Sequence, residues 1–198
     1  MSKRGKVISA WSMGAGAVLV VSGAAILAIG GCSIVDPQAK EALMRDLGST
    51  SFTVFPAVVR RQAISYDENS AARIGEFLAT QRLGQGTVSD VHVGISGPWH
   101  MNQARMLRES AEEFAFYVKD HPIETAYAVL PEYLLSGSDA VHGIHGYIID
   151  KNGKVAFVVL QNSKWPAFQG VNPQTVEDCT EVLVRALRES LRPAQGNR

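Results

Sequence analysis

The chain has 198 residues, of which 46% are apolar, so it is long enough for one domain with a substantial core and too apolar to be intrinsically disordered. Its 19 basic and 19 acidic residues balance, and removal of residues 1–31 leaves a net charge of about −3, which provides no electrostatic basis for nucleic-acid binding. A Walker loop, a dinucleotide-binding fingerprint and zinc-finger spacing are all missing from the sequence, so we expect no cofactor and no metal.

The amino terminus has the pattern of an export signal. A basic stretch ends at Lys6, and residues 7–31 are uncharged. Positive charge retains its end of the chain in the cytoplasm, while the apolar run partitions into the bilayer. The segment Ile29-Gly30-Gly31-Cys32 resembles the lipobox of bacterial lipoproteins, in which an aliphatic residue lies three positions before the cysteine and small residues lie between. The resemblance implies that residues 1–31 are a cleaved signal peptide and that Cys32 is the lipid-attachment residue.

A lipidated Cys32 implies an anchor in the bacterial cell envelope. Ser33 is not the aspartate that favours inner-membrane retention in that family, so the resemblance implies an outer-membrane lipoprotein facing the periplasm. Two alternatives stay open. One is an ordinary secretory signal, and the other is an uncleaved transmembrane anchor, since the 25 uncharged residues could span a bilayer. Each of these readings places the domain outside the cytoplasm.

After the signal, the sequence predicts a tether over residues 32–50, a single α/β domain over 51–192 and a flexible tail over 193–198. The domain is expected to contain a small mixed sheet of about five strands and three packed helices in the order β-α-β-α-β-β-β-α. The first strand is expected at residues 51–55, and its continuation through Pro56 to Arg60 is left open. The other expected elements are a short helix within the tether (38–47), a helix (69–82), a strand (87–93), a helix (102–120), a strand interrupted by Pro131 (125–135), a hairpin (143–149 and 154–161), an aromatic loop (162–172) and a last helix that begins near residues 173–175.

Two of these elements have the clearest patterns. The helix over 102–120 places Leu107, Ala111 and Phe114 on one face at alternating spacings of four and three. The hairpin has two apolar runs separated by a turn that contains Asn152-Gly153, and an Asn-Gly turn between apolar runs is typical of a β-hairpin.

The sequence contains several candidate chemical residues but no catalytic constellation. His142 and His145 have an odd spacing, which places them on opposite faces of a strand, so we expect surface or half-buried histidines rather than a metal site. Cys179 lies on the apolar stripe of the last helix and is expected to be buried and inert. Ser96 lacks the nucleophile-elbow pattern, because the position two residues after it is Pro98 rather than glycine.

Aromatic residues in predicted loops are the candidates for partner binding. Trp99, Trp165 and Phe168 all lie outside the expected helices and strands, and aromatic side chains on loops are common anchors for a protein partner. The same residues could instead cap the open end of a sheet. The alternative function is a small-molecule or metal-binding domain, or a hydrolase, that uses the loops around Trp99-His100 and Trp165.

The domain pattern also resembles a group of bacterial envelope lipoproteins and related domains. The resemblance rests on Phe52-Thr-Val-Phe-Pro56, the helix over 69–82 and the hairpin Gly146–Phe157. The group comprises penicillin-binding-protein activator lipoproteins, the curli secretion lipoprotein and the amino-terminal domain of the Tol translocation protein. Localisation and the missing catalytic constellation favour a lipid-anchored, non-enzymatic module that binds an envelope protein partner, or that assembles or regulates an envelope complex.

Overall fold

The computed structural model describes residues 34–97, 102–138 and 140–191. The described residues form one seven-stranded mixed sheet and five helices. In chain order the elements are α1 (Pro37–Asp46), β1 (Thr50–Val54), β2 (Ala57–Arg60), β3 (Ile64–Asp67), α2 (Glu68–Thr80), β4 (Gly84–Val88), α3 (Gln103–Asp120), β5 (Tyr127–Leu135), β6 (Val141–Asp150), β7 (Val155–Gln161), α4 (Pro166–Val171) and α5 (Val176–Ser190). The expected α/β class with a mixed sheet is confirmed.

Strand β5 lies at the centre of the sheet. On one side it pairs antiparallel with β6, which pairs antiparallel with β7. On the other side it pairs in parallel first with β1 and then with β2. Strands β4 and β3 pair with β1 and β2, respectively, and form the outer edge there. The sheet has seven strands rather than about five because the first predicted strand divides into β1 and β2 and because β3 is an added strand.

Two prolines lie at the same level of the sheet. Pro56 lies between β1 and β2, and Pro131 lies within β5 opposite Gly146. The paired residues on either side of this level are Val54 with Val129 and Val58 with Glu132. Proline has no N–H group to donate. β1 has ended and β2 has not begun beside Pro131, so both prolines lie in a gap of the hydrogen-bond ladder between these strands and β5, where no donor is needed. The predicted interruption of the strand over 125–135 was wrong, because β5 is continuous.

Helices cover both faces of the sheet. α1, α2, α4 and α5 contribute to the apolar core on one face, and α3 packs on the other face together with Val93 and Ile95. The expected tether contributes to the first core, because α1 buries Leu43 completely. α1 begins at a cap in which the Asp36 side chain accepts hydrogen bonds from two backbone N–H groups.

The predicted helices match α2, α3 and α5 closely, but two other predictions were wrong. The strand predicted over 87–93 lies at Gly84–Val88, where Gly86 approaches α2 so closely that a Cβ there would lie 2.7 Å from Gly75 Cα. The predicted loop over 162–172 contains α4, whose Phe168 points into the core. Both differences depend on packing between distant segments rather than on local pattern.

Candidate functional site

A buried polar cluster lies between the sheet and α3. Its members come from one helix and three neighbouring strands. They are Arg60 of β2, Ser110 of α3, Glu132 of β5, and His145 and Tyr147 of β6. Strand register brings them together, because Glu132 is paired with His145, and Tyr147 follows His145 by two residues on the same face.

Glu132 is the centre of this cluster. Its Oε1 accepts hydrogen bonds from Arg60 Nη1 at 3.0 Å and from Ser110 Oγ at 3.0 Å. Its Oε2 accepts from Tyr147 Oη at 2.5 Å and from His145 Nδ1 at 2.9 Å. Both carboxylate oxygens therefore have two donors each, and hydrogen bonds link β2, β5, β6 and α3.

The cluster holds Glu132 in its charged form although its side chain is 0% exposed. Burial alone would raise the pKa of Glu132. Hydrogen bonds from His145 and Tyr147 and electrostatic attraction to His145 and Arg60 outweigh that effect and lower the pKa to about 2. Burial and the neighbouring carboxylate raise the pKa of Tyr147 well above its ordinary value, so its phenol stays a proton donor. Arg60 provides the charge that balances Glu132, and its Nη2 also donates to the Gly97 carbonyl.

His145 leaves one atom of the cluster unpaired. Its Nδ1 is the donor to Glu132, because an ionised carboxylate can only accept. Its Nε2 is buried without a hydrogen-bond partner. The His145 side chain is 0% exposed, so a substrate could reach this nitrogen only after the surrounding structure opened.

A second buried network lies on the opposite face of the sheet. Thr180 Oγ1 lies 2.9 Å from Tyr133 Oη and 2.8 Å from Ser70 Oγ, and Ser70 is also hydrogen-bonded to Asp67. These hydroxyl groups join α2 and α5 to β5. Burial raises the pKa of Tyr133, which keeps its phenol neutral. We assign a structural role to this network, because its buried polar groups are hydrogen-bonded to one another.

The aromatic candidates do not form one exposed patch in the described residues. Phe168 is 7% exposed and packs in the core, because α4 turns it inward, so its side chain does not contribute to an exposed surface. Trp165 is half-buried at the cap of α4. Trp99 and its neighbour His100 lie outside the described residues, as does Cys32.

The histidine expectation was partly wrong. His142 is exposed, but His145 is completely buried in an ion-paired cluster rather than half-exposed on the sheet. Within the described ranges, no group of three or more His, Cys, Asp and Glu side chains is arranged to hold a metal.

Sequence reasoning missed the Glu132 cluster, although a signal was present. Every residue of β5 and of β2 is buried, yet β5 contains Glu132 and β2 ends with Arg60. A charged residue inside a buried strand needs a partner of opposite charge. His145 and Tyr147 in the neighbouring strand have the i, i+2 spacing that places them on one face.

Comparison with known proteins does not add to this geometry, because no family model, curated protein or solved structure matches the chain.

Cys179 is expected to behave as a buried, inert thiol. It is 0% exposed on α5, and burial together with the nearby charge of Asp178 raises its pKa to about 12. We expect Cys179→Ala to lower the free energy of unfolding by about 1 kcal/mol through lost packing. We also expect the wild-type thiol to react with an aromatic disulfide reagent in urea but not in the native state. Rapid labelling of the native protein would contradict this assignment.

Proposed function

We propose that the protein is a lipid-anchored component of the bacterial cell envelope, held to the outer membrane through Cys32, and that its domain is a non-enzymatic module that binds or helps to assemble an envelope protein complex. The lipobox-like segment Ile29-Gly30-Gly31-Cys32 carries the first half of this proposal. The helices in the described residues include none long and apolar enough to cross a membrane. The apolar residues 7–31 lie outside the described residues.

The single structural observation that favours a non-enzymatic role is the closure of the Glu132 cluster. Both oxygens of Glu132 are occupied by internal donors, and the side chains of Glu132 and His145 are 0% exposed. Catalytic groups must touch a substrate, and these groups instead fix the position of α3 on the sheet. We assign the cluster to specifying and stabilising the packing.

Exposed apolar side chains support a protein partner. Ile64, Val88 and Val91 are each about half exposed, and the first two belong to the outer edge strands β3 and β4. No further strand of the described part of the chain pairs with that edge. An open edge offers backbone N–H and C=O groups to an extended segment of another protein.

Native electrophoresis of the mildly solubilised envelope tests the partner half of the proposal. We expect the protein to migrate in a complex that is larger than its own detergent-bound monomer and that contains a second envelope protein in a fixed ratio. In-cell cross-linking before solubilisation should trap the same second protein. If the lipidated protein migrates alone under both conditions, it is not an assembly module.

A further inference from the structure

The folded domain begins almost at the expected lipid-attachment residue. Cys32 precedes Ile34 by two residues, and two residues of fully extended chain span about 7 Å. The chain is fixed from this point onward. Ile34 and Val35 pack against the core beneath α3, and the Asp36 N–H donates to the Val155 carbonyl at 2.8 Å. A lipid on Cys32 would therefore hold the domain directly at the bilayer surface.

The surface around Ile34 consists of three elements that contact one another. A groove of about 390 Å³ lies beside Ile34, between α3 and the start of β7, and Arg108, Ala115 and Lys154 contribute to its lining. The turn between β6 and β7 packs tightly on α3, since a Cβ on Gly153 would lie 2.7 Å from the Ala115 carbonyl oxygen. Ile34, the carboxyl-terminal half of α3 and this turn thus form one continuous surface, which we term the anchor face.

The anchor face includes the most exposed of the large apolar side chains recorded in the described residues. Phe116 is 71% exposed, compared with 47% for Val88 and 45% for Ile64. It lies one helical turn after Glu112, which lines the groove beside Ile34, so the two residues are neighbours on the surface of α3. An aromatic ring in this position exposes apolar area to water unless a membrane or another protein covers it.

Charges of both signs lie on the anchor face. Its exposed basic side chains are those of Lys119, Lys151 and Lys154, and Arg108 lines the groove beside it. Its acidic side chains are those of Asp36, Glu112, Glu113, Asp120 and Asp150, and the Asp36 carboxylate lies 3.4 Å from Lys154 Nζ. Because these charges nearly balance, the bilayer is favoured by the closeness of Cys32 to Ile34 and by the exposed Phe116 ring rather than by net charge.

We propose that the anchor face lies on the bilayer that holds the lipid, with Phe116 inserted among the lipid headgroups. The inference rests on the proposed lipidation of Cys32, because the short distance from Cys32 to Ile34 determines which side of the domain faces the membrane. The anchor face therefore contacts the lipid bilayer. The alternative that the experiment below can reveal is a protein that covers the same face.

Thiol-specific fluorescent labelling tests this orientation in the full lipidated protein. In the described residues Cys179 is buried, and the sulfur of a lipidated Cys32 is blocked, so an introduced surface cysteine is the preferred site of labelling. The test variants are Phe116→Cys and Asn152→Cys, and the second one retains Phe116. The matched control is Ala72→Cys, an exposed position on α2, which packs on the opposite face of the sheet. Each labelled protein is reconstituted in vesicles of phosphatidylethanolamine and phosphatidylglycerol that contain a spin-labelled lipid.

We expect the spin-labelled lipid to quench labels at residues 116 and 152 several-fold more than the label at residue 72. Equal quenching at the three positions, in protein whose intact mass shows the lipid, would overturn the orientation and leave the lipid anchor standing. An intact mass without lipid would overturn both proposals. Weak lipid quenching at residue 116 in vesicles, combined with protection from an aqueous quencher in native envelopes, would assign the face to a protein and overturn the inference.

Discussion

Glu132→Ala is expected to lower the free energy of unfolding by about 3–5 kcal/mol, which corresponds to a fall in Tm of roughly 10 °C. The substitution leaves the Arg60 guanidinium, which is 6% exposed, without its counter-charge. It also removes the acceptor for Ser110, His145 and Tyr147. Urea denaturation at neutral pH measures the loss. Glu76→Ala is the matched control, because Glu76 is exposed on α2, and its change should stay within about 0.5 kcal/mol.

A double substitution separates the charge pair from the rest of the cluster. Arg60→Met combined with Glu132→Leu removes both charges and replaces them with apolar side chains. We expect the double variant to lose less stability than the sum of the two single variants, because neither buried charge is left alone. Strict additivity would show that Arg60 and Glu132 do not stabilise each other, and a loss below about 1 kcal/mol in Glu132→Ala would contradict the central position of Glu132.

Acid should reduce the difference between wild type and a Glu132→Gln variant. The pKa of Glu132 is lowered from 4.5 to about 2 in the folded state, so the carboxylate contributes its full stability above the unfolded pKa. That contribution is lost as the pH falls toward the folded pKa. We therefore expect the gap between the two unfolding free energies to be constant near neutral pH and to narrow between about pH 5 and pH 2.

Cys32→Ser is expected to abolish lipid attachment and with it the normal anchoring of the mature protein. The hydroxyl of serine is a much weaker nucleophile than the cysteine thiolate and cannot replace it as the acceptor of the diacylglycerol group. We expect the variant to appear in the soluble fraction or as a precursor that retains residues 1–31, with no incorporation of labelled palmitate. Normal palmitate incorporation in the variant would exclude Cys32 as the attachment residue.

Cys179→Ser is the matched control for this experiment. Cys179 is buried on α5 and has no disulfide partner among the described residues. Its substitution should lower stability but leave palmitate incorporation unchanged. A loss of incorporation in both variants would instead indicate a general failure of folding or export.

The elements that were predictable from sequence are those with local determinants. The Asn152-Gly153 turn marks the β6–β7 hairpin, and Gly153 adopts a φ of 78° there, a conformation that glycine adopts easily. The helix α5 begins at a capping box formed by Thr175 and Asp178, three residues apart. The apolar spacing of α3 similarly determines which of its faces packs on the sheet.

The sequence signals that Glu132 needs a partner, but it does not predict which residues those partners are, because they are distant in sequence. Arg60 and Glu132 are separated by 72 residues and meet only because β2 pairs in parallel with β5. The sequence shows that each charge lies in an apolar strand, but the strand order that joins them depends on packing of the whole sheet. The inward orientation of Phe168 likewise depends on α4, a helix of six residues without a clear periodic pattern.

The intact mass of the protein purified from the membrane fraction tests the account most directly. We predict a chain that begins at Cys32, carries a diacylglyceryl group on the cysteine sulfur and therefore contains 167 of the 198 encoded residues. A membrane-bound chain that retains residues 1–31, or one in which Cys32 is unmodified, would contradict the proposal of a lipid-anchored envelope protein.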